Sequence, residues 1–374
     1  MTKRTTVLLL GIFIAVFQSP ICAQNRYLYV SDAGNFSSPP WQILRFDENG
    51  ENGVVFISDH LAWPQDILFL ENSNTVLITN LNTGRISKFN ATTGAFTGEF
   101  AAGIAGPTRM KIGPDGLLYV LQWQGNGKVL RYNLNGAPAS DFTSTGVSSA
   151  IGLAWDTAGN LYVSSYYGKS IRKYSPSGAD LGLFVSANLL GPTNIWFASN
   201  GDLMVLDYEA GSVKRFDSNG HYLGVFCVGV PQSEGVDLFP NGNIAIGSGG
   251  TASVRVYDQA GTFVKNLVPP GTLGLIRPNA VVFRTTPSSS TSEAIQEAAF
   301  VTPSVGSSFL ISDPEVLKLA DTIEVYGTGG QLVTKFRASE NARWDANGTA
   351  NGVYYIIARM QDGSTARQKV VVQQ

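Results

Sequence analysis

A short motif, an apolar run ending in an aromatic residue, recurs along this chain at a nearly constant spacing. The aromatic residues stand at positions 46, 89, 132, 174, 216 and 257, so successive copies are 43, 43, 42, 42 and 41 residues apart. A second apolar run precedes each copy, and a polar turn ending in glycine follows it. Short apolar runs bounded by turn residues are typical of strands. The repeat therefore predicts a series of small antiparallel sheets rather than a helical solenoid.

A third apolar run opens every copy of the repeat except the first. The first copy begins near Asn25 without this run, and an additional run, residues 278–284, follows the last copy. If the sheets close into a ring, the additional run completes the first sheet and removes the free edges. The sequence therefore predicts an all-β fold in which residues 24–286 form a six-bladed β-propeller.

The repeats resemble the six-bladed propellers of the NHL-repeat and regucalcin/gluconolactonase-like group. The resemblance rests on units such as residues 151–165, IGLAWDTAGNLYVSS, followed by the run 171–174 and by Gly178. It covers about residues 25–286 and implies the propeller fold without specifying an activity. In related propellers, acidic and amide side chains at the starts of the inner strands hold a divalent cation in the central channel.

Polar side chains at the starts of the opening runs are candidates for such a metal site. Carboxylate and amide oxygens suit Ca²⁺ or another divalent cation. The pairs Glu234-Gly235 and Pro278-Asn279 resemble elements of the gluconolactonase-like site, whereas Arg109, expected in the same ring, would repel a cation. A hydrogen-bonded polar plug is the alternative, and the sequence leaves both open. The candidate metal ligands are Glu234, Asn194, Asn279 and Asp66.

Aromatic and polar residues that follow the second strands suggest a binding rim. Exposed aromatic rings on one face would suit stacking on sugars or capture of a peptide. The alternative is that these rings pack between the blades. The candidate ligand-binding residues are Trp123, Tyr166, Tyr167, Asp207 and Arg109.

The sequence carries no recognisable catalytic signature. His60 and His221 are its only histidines and both fall in predicted loops or turns, while Cys227 lies in an apolar run typical of a packed thiol. We find neither a nucleophile elbow nor a phosphate-binding loop. We therefore expect a binding platform for a protein, glycan or small ligand. The alternative is a divalent-metal-dependent, lactonase-type hydrolase with its site at the central channel.

The N-terminal segment predicts export. Residues 1–23 carry Lys3 and Arg4, then the apolar run 7–17 and a terminal Ala23, which is typical of a secretory signal peptide. No later run approaches the ~18 apolar residues of a membrane span, so we expect no transmembrane segment in the mature chain. The net charge of −2 also excludes an electrostatic grip on nucleic acid.

The C-terminal segment departs from the repeat. Residues 287–299 are predicted to form a linker, and residues 300–374 a small Ig-like antiparallel β-sandwich. This tail resembles the C-terminal sorting domain of the type IX secretion system of Bacteroidota-type bacteria, on residues 323–326, 329–333, 350–356 and 369–373. The resemblance implies the type IX machinery as a partner and a secreted or cell-surface location. An ordinary sandwich used for adhesion or spacing is the alternative.

Overall fold

The chain forms two compact units made almost entirely of strands. The computed structural model describes residues 24–287, 300–327, 331–339, 341–360 and 365–373. The predicted signal peptide, and residues 288–299 of the predicted linker, lie outside the described residues. One unit is Asn25–Thr286, and the other contains the C-terminal residues from Pro287 onwards. Among the described residues, no helix is long and apolar enough to cross a bilayer.

The larger unit contains six antiparallel sheets within its described residues, numbered I to VI in chain order. Short 3₁₀ turns lie at Glu71–Ser73, Leu81–Thr83, Gly249–Thr251 and Thr272–Gly274. The strands are β1 Gln24–Asp32, β2 Gln42–Asp47 and β3 Val54–Ile57 in sheet I; β4 Pro64–Leu70, β5 Thr75–Asn80, β6 Arg85–Asn90 and β7 Phe96–Ala101 in sheet II; β8 Pro107–Ile112, β9 Leu118–Gln122 and β10 Leu130–Tyr132 in sheet III; β11 Ala150–Trp155, β12 Leu161–Ser165, β13 Ser170–Tyr174 and β14 Asp180–Val185 in sheet IV; β15 Pro192–Phe197, β16 Leu203–Asp207, β17 Ser212–Phe216 and β18 Tyr222–Val228 in sheet V; and β19 Ser233–Leu238, β20 Ile244–Ser248, β21 Ser253–Tyr257 and β22 Phe263–Val268 in sheet VI.

The last strand of this unit closes the sheets into a ring. Strand β23, Pro278–Pro287, pairs with β1, so that sheet I has the order β23-β1-β2-β3. Apolar clusters fill the spaces between successive sheets, and one of them joins sheet VI to sheet I through residues such as Val254 and Leu44. Because every sheet packs on two neighbours, the unit is a β-propeller, and the predicted all-β propeller fold is confirmed.

Hydroxyl groups link the innermost strands of neighbouring sheets. Thr108 Oγ1 in β8 donates to Ala150 O in β11 over 2.8 Å, and Thr193 Oγ1 in β15 donates to Ser233 O in β19 over 2.7 Å. All four residues are buried. Each such bond contributes a net ~1 kcal/mol, since water satisfies the same groups in the unfolded chain. These bonds hold the starts of the inner strands side by side around the channel.

The innermost strands of sheets II to VI are irregular near their first residues. In β8, the pairing with β9 shifts between Pro107 and Met110, so that Thr108 and Arg109 oppose a single residue. Corresponding shifts occur in β4, β11, β15 and β19. A bulge of this kind redirects side chains and interrupts their alternation between the two faces. Adjacent residues of one strand are thereby placed in separate parts of the channel.

Gly178 and Gly201 have similar backbone conformations, with φ angles of 82° and 86°, but only Gly178 is closely packed. A Cβ added to Gly178 would lie 1.8 Å from Phe142 O, whereas a Cβ added to Gly201 would have no atom within 4 Å. We expect Gly201→Ala to reduce the free energy of unfolding by about 1–2 kcal/mol, the strain of an L-residue at positive φ. Gly178→Ala should reduce it further. Urea denaturation of both variants checks this, and equal losses would contradict it.

The described residues of the C-terminal unit form two sheets around one core. The sheet orders are β24-β26-β29 and β25-β31-β30-β27-β28. Phe309 and Trp344 of the first sheet pack with Ile323 and Ile356 of the second. The elements are β24 Val301–Thr302, β25 Val305–Gly306, β26 Ser308–Ile311, α1 Pro314–Leu319, β27 Ala320–Gly327, β28 Leu332–Arg337, β29 Arg343–Asp345, β30 Gly352–Met360 and β31 Thr365–Val372.

Two features of this unit differ from the sequence-based prediction. Strand β25 runs parallel to β31, so the larger sheet is mixed rather than antiparallel. The helix α1 was not predicted, although Asp313 caps it by accepting hydrogen bonds from the backbone N–H groups of Glu315 and Val316 over 2.8 and 3.3 Å. The proline at the first helical position also favours a helix start. Six residues are too few for the apolar periodicity of a helix to be visible.

Candidate functional site

A cavity of about 180 Å³ lies where the innermost strands of the propeller begin. Three of its side chains come from the second residues of β4, β11 and β19, and the rest come from the loops around them. We call it the aromatic cavity. Its lining residues are Phe36, Trp63, Gln65, Leu81, Trp123, Ile151, Tyr166, Tyr167, Tyr208 and Glu234.

The repeat itself builds one wall of the aromatic cavity. Leu81, Trp123, Tyr166 and Tyr208 are each the first residue after the second strand of sheets II, III, IV and V. The Trp123 ring lies 5.7 Å from the Tyr166 ring, which in turn lies 5.7 Å from the Tyr208 ring. Tyr167, 5.5 Å from Trp123, extends this wall outwards and is 71% exposed. The propeller thus holds a run of adjoining aromatic rings at one mouth of its channel.

A carboxyl and an amide form the floor of the aromatic cavity. The Gln65 side-chain amide is oriented so that its nitrogen faces an acceptor and its oxygen faces two donors. In this orientation the nitrogen donates to Glu234 Oε2 over 3.0 Å. Its oxygen then accepts from Asn279 Nδ2 over 2.9 Å and from Trp63 Nε1 over 2.6 Å. Glu234 Oε1 accepts no hydrogen bond from any described residue. The floor therefore offers one free acceptor on a side chain that is only 5% exposed.

Burial raises the pKa of Glu234 to about 7, although Arg109 and Arg277 act in the opposite direction. A raised pKa means that the folded protein binds this proton more tightly than the unfolded chain does. The stability that Glu234 contributes is therefore complete below its ordinary pKa of 4.5, and it is lost as the pH rises through about 7.

We expect Glu234→Gln to make the stability of the propeller less dependent on pH. Between pH 4.5 and 7, the wild-type protein should lose more free energy of unfolding than the variant, because glutamine carries no proton to release. Urea denaturation at half-unit pH steps measures the difference. Glu51→Gln, an exposed position, is the control and should follow the wild type. Identical pH profiles for Glu234→Gln and wild type would contradict the assignment.

Arg109 closes the channel beneath the floor of the aromatic cavity. Its guanidinium is 1% exposed and donates to Asn279 O over 2.5 Å and to Gln65 O. The same group lies 3.5 Å from Glu234 Oε2 and 3.6 Å from Asp66 Oδ1. Three innermost strands besides its own thus contribute atoms around one buried cation. We call this arrangement the Arg109 plug.

A second cavity, of about 250 Å³, lies beyond the plug. Asp66, Lys111, Asn194 and Asp237 line it, and it shares no lining residue with the aromatic cavity. Burial lowers the pKa of Lys111, and its ammonium donates to Leu153 O over 2.9 Å. The channel is therefore divided into two separate chambers.

The four candidate metal ligands do not lie together in the structure. Glu234 faces the aromatic cavity, Asn279 binds Gln65 in the plug, and Asp66 and Asn194 line the second cavity. Both carboxylates are already beside the guanidinium of Arg109. Within the described residues, no group of three or more His, Cys, Asp and Glu side chains is placed to hold a metal. This arrangement does not fit a divalent cation.

The candidate ligand-binding residues also separate. Trp123, Tyr166 and Tyr167 meet in the aromatic cavity, whereas Arg109 forms the plug. Asp207 is fully buried and lies elsewhere, because its carboxylate accepts from the N–H groups of the loop residues Leu190 and Gly191 over 2.9 and 2.8 Å and pairs with Lys214 Nζ over 2.7 Å. At the end of β16, Asp207 therefore holds the loop in place and does not line the aromatic cavity.

The two histidines and Cys227 lie outside both chambers. His60 stacks on Phe96 with the ring centroids 3.7 Å apart, and His221 contacts Asp217 on an exposed turn. Cys227 packs between sheets V and VI, where burial raises the pKa of its thiol to about 12. None of the three is placed for chemistry in the channel.

Phe36 and Gln65 line the aromatic cavity but were not among the candidates. Phe36 belongs to an irregular loop with no counterpart in the other repeats, and its ring lies 4.4 Å from that of Trp63. Gln65 directly precedes Asp66, and alternation of side chains predicts that only one of the two faces the channel. The one available signal for the cavity is the recurrence of large residues directly after the second strands.

Comparisons with known proteins support the propeller fold. No family model matches this chain, and neither does any curated protein. A β-propeller from a nidogen/laminin complex is similar in structure, with 16% identity, a TM-score of 0.57, and coverage of 70% of this chain and 98% of that chain.

Two further solved structures are similar to the propeller. A protein of unknown function from Bacteroides caccae has 15% identity and a TM-score of 0.55, covering 69% of this chain and 98% of its own. A gluconolactonase-family protein has 16% identity and a TM-score of 0.49, covering 57% and 80%. At such identities the likeness concerns the fold alone.

Proposed function

We propose that this protein is a binding propeller that holds a ring-sized group of an extracellular ligand in the aromatic cavity. The observation that carries the proposal is an aromatic-walled cavity with a free carboxyl oxygen at its floor. A cavity of about 150 Å³ in another protein accommodates benzene, so about 180 Å³ admits one ring. The propeller similar to this one in the nidogen/laminin complex is protein-binding, which supports use of the fold as a platform.

The lining of the cavity favours binding over catalysis. Acid–base hydrolysis needs two groups that exchange protons in turn. Glu234 is the one carboxyl among the described lining residues, and burial keeps Tyr208 protonated by raising its pKa to about 12. The lactonase-type alternative requires a cation, which the Arg109 plug does not accommodate.

Ligand-observed NMR on the full-length protein tests the proposal with indole, phenol and methyl glucosides as ring-sized probes. We expect at least one probe to bind, and Trp123→Ala to weaken its binding about tenfold, because stacking on one aromatic ring contributes ~1–3 kcal/mol. Tyr222→Ala, an exposed aromatic position on β18, is the matched control and should bind as the wild type does. Binding of no probe, or equal binding by Trp123→Ala, would refute the proposal.

We also propose that the chain is exported and reaches the cell surface or the medium through a type IX secretion machinery. The apolar run 7–17 and the sorting-domain resemblance of residues 300–374 support this, as does the separate core of the C-terminal unit. The same resemblance supports an Ig-like sandwich for that unit. In a host with a type IX system, deletion of residues 300–374 should retain the propeller in the periplasm. Unchanged export of the deletion variant would exclude a sorting role.

A further inference from the structure

We infer that the group held in the aromatic cavity is the terminal sugar of a neutral glycan, which enters end-on. The inference rests on the proposed function and specifies its ligand. Three properties of the site carry it: the balance of charge around the floor, the distribution of free polar atoms, and the closed lower end of the cavity.

The charges around the floor favour a neutral ligand. Two carboxyl groups, Glu234 and Asp66, lie beside the guanidinium of Arg109. A second arginine, Arg277, directly precedes β23, and its charge favours the ionised form of Glu234. The Arg277 guanidinium lies 4.2 Å from the centre of the Phe36 ring, in the cavity wall. The two arginines offset the two carboxyl groups, so the floor offers no excess charge that would hold a cation or an anion. A ligand without net charge suits this balance.

The free polar atoms of the cavity match hydroxyl groups on a ring. Glu234 Oε1 at the floor has no hydrogen-bond partner among the described residues. The same is true of two donors in the wall, Trp123 Nε1 and Tyr167 OH. A sugar hydroxyl both donates and accepts, so one ring can satisfy the floor and the wall together. The C–H faces of a pyranose ring pack against the electron-rich faces of aromatic rings. An apolar ring would exclude water from this oxygen and leave it without a hydrogen-bond partner, which is unfavourable.

The Arg109 plug makes the aromatic cavity a dead end. An internal sugar of a glycan is bonded on two sides, so it needs a groove with two exits. A terminal sugar is bonded on one side and enters a chamber with one mouth. The aromatic cavity shares no lining residue with the chamber beyond the plug, and its volume of about 180 Å³ corresponds to a single ring.

The test uses the full-length protein and defined sugars. The neutral probes are methyl pyranosides of glucose, galactose, mannose and N-acetylglucosamine, and the charged probes are the methyl pyranosides of the corresponding uronic acids and 2-amino sugars. We expect at least one neutral pyranoside to bind, and its matching charged sugar to bind at least about tenfold more weakly. Tyr167→Ala and Trp123→Ala should each weaken binding, whereas Tyr222→Ala should not. Because Tyr167 is 71% exposed, its variant should remain folded.

A second comparison tests the end-on entry. A tetrasaccharide that ends in the bound sugar should bind at least as well as the monosaccharide, and adding one different residue to that end should abolish binding. Equal binding of the capped tetrasaccharide would overturn end-on entry, and equal or stronger binding of the charged sugar would overturn neutrality. Binding of indole without any sugar would refute the inference and leave the proposed function standing. Binding of no probe would refute both.

Discussion

The Arg109→Ala substitution is expected to lower the free energy of unfolding of the propeller by about 3–5 kcal/mol, the usual effect of removing one partner from a buried ion pair. The guanidinium is 1% exposed and donates hydrogen bonds to Gln65 O and Asn279 O. It also lies beside the carboxylates of Glu234 and Asp66. Without it, two buried carboxyl groups face each other across a void. Their charge would then be relieved only by proton uptake or by entry of water.

Urea denaturation measures this effect, and a second arginine supplies the control. Arg215 Nε pairs with Asp202 over 3.2 Å at the surface, so Arg215→Ala should reduce the free energy of unfolding by less than about 1 kcal/mol. Arg109→Lys should recover little of the loss, because one ammonium cannot reach the separate acceptors that the planar guanidinium contacts. Similar losses for Arg109→Ala and Arg215→Ala would show that the plug does not stabilise the ring.

Removal of β23 is expected to abolish cooperative folding of the propeller. A chain that ends at residue 277 lacks the strand that pairs with β1, and it lacks the buried Ala280 and Val281, which pack between neighbouring sheets. It also loses the two hydrogen bonds of 2.8 Å between Arg284 and Glu71. Since a whole domain is stabilised by only about 5–15 kcal/mol, loss of an innermost strand exceeds the margin.

Two truncated chains distinguish closure from mere length. The chain ending at residue 287 keeps β23 and should unfold in a single cooperative urea transition, followed by tryptophan fluorescence. The chain ending at residue 277 should show no such transition and should expose apolar surface to a dye such as ANS. Both lack the C-terminal unit, so that unit cannot account for a difference. A cooperative transition in the shorter chain would mean that the ring does not need its closing strand.

The repeat predicted the fold because its evidence is redundant. Six copies, spaced 41 to 43 residues apart, contain the same pattern of strands, so an ambiguous run in one copy is resolved by the others. The missing first run and the additional last run together predicted the closing strand. In the C-terminal unit, β25 was not predicted because two residues have no periodicity, and its parallel pairing with β31 depends on contacts far apart in sequence.

The candidate site could be predicted only in part. Trp123, Tyr166 and Tyr167 were predicted to share a rim and do line one cavity, because the repeat places their loops at one mouth. The partition of Glu234 and Asp66 between two chambers depends on bulges in β19 and β4, which depart from the alternation that a sequence pattern assumes. Asp207 was among the candidates, yet it contacts a loop and Lys214, because a polar residue at a strand end looks the same in sequence whether it faces a ligand or holds a loop.

The pairing of β1 with β23 also means that the ring has no intrinsic beginning. The two ends of the propeller are neighbours, since Thr286 Oγ1 donates to Asn25 O over 3.3 Å. A short peptide could therefore join them, and the chain could be reopened at the exposed turn around Asn200, between β15 and β16. Such a circular permutant would keep every sheet and both chambers, because the order of blades around a closed ring is unchanged by where the chain starts.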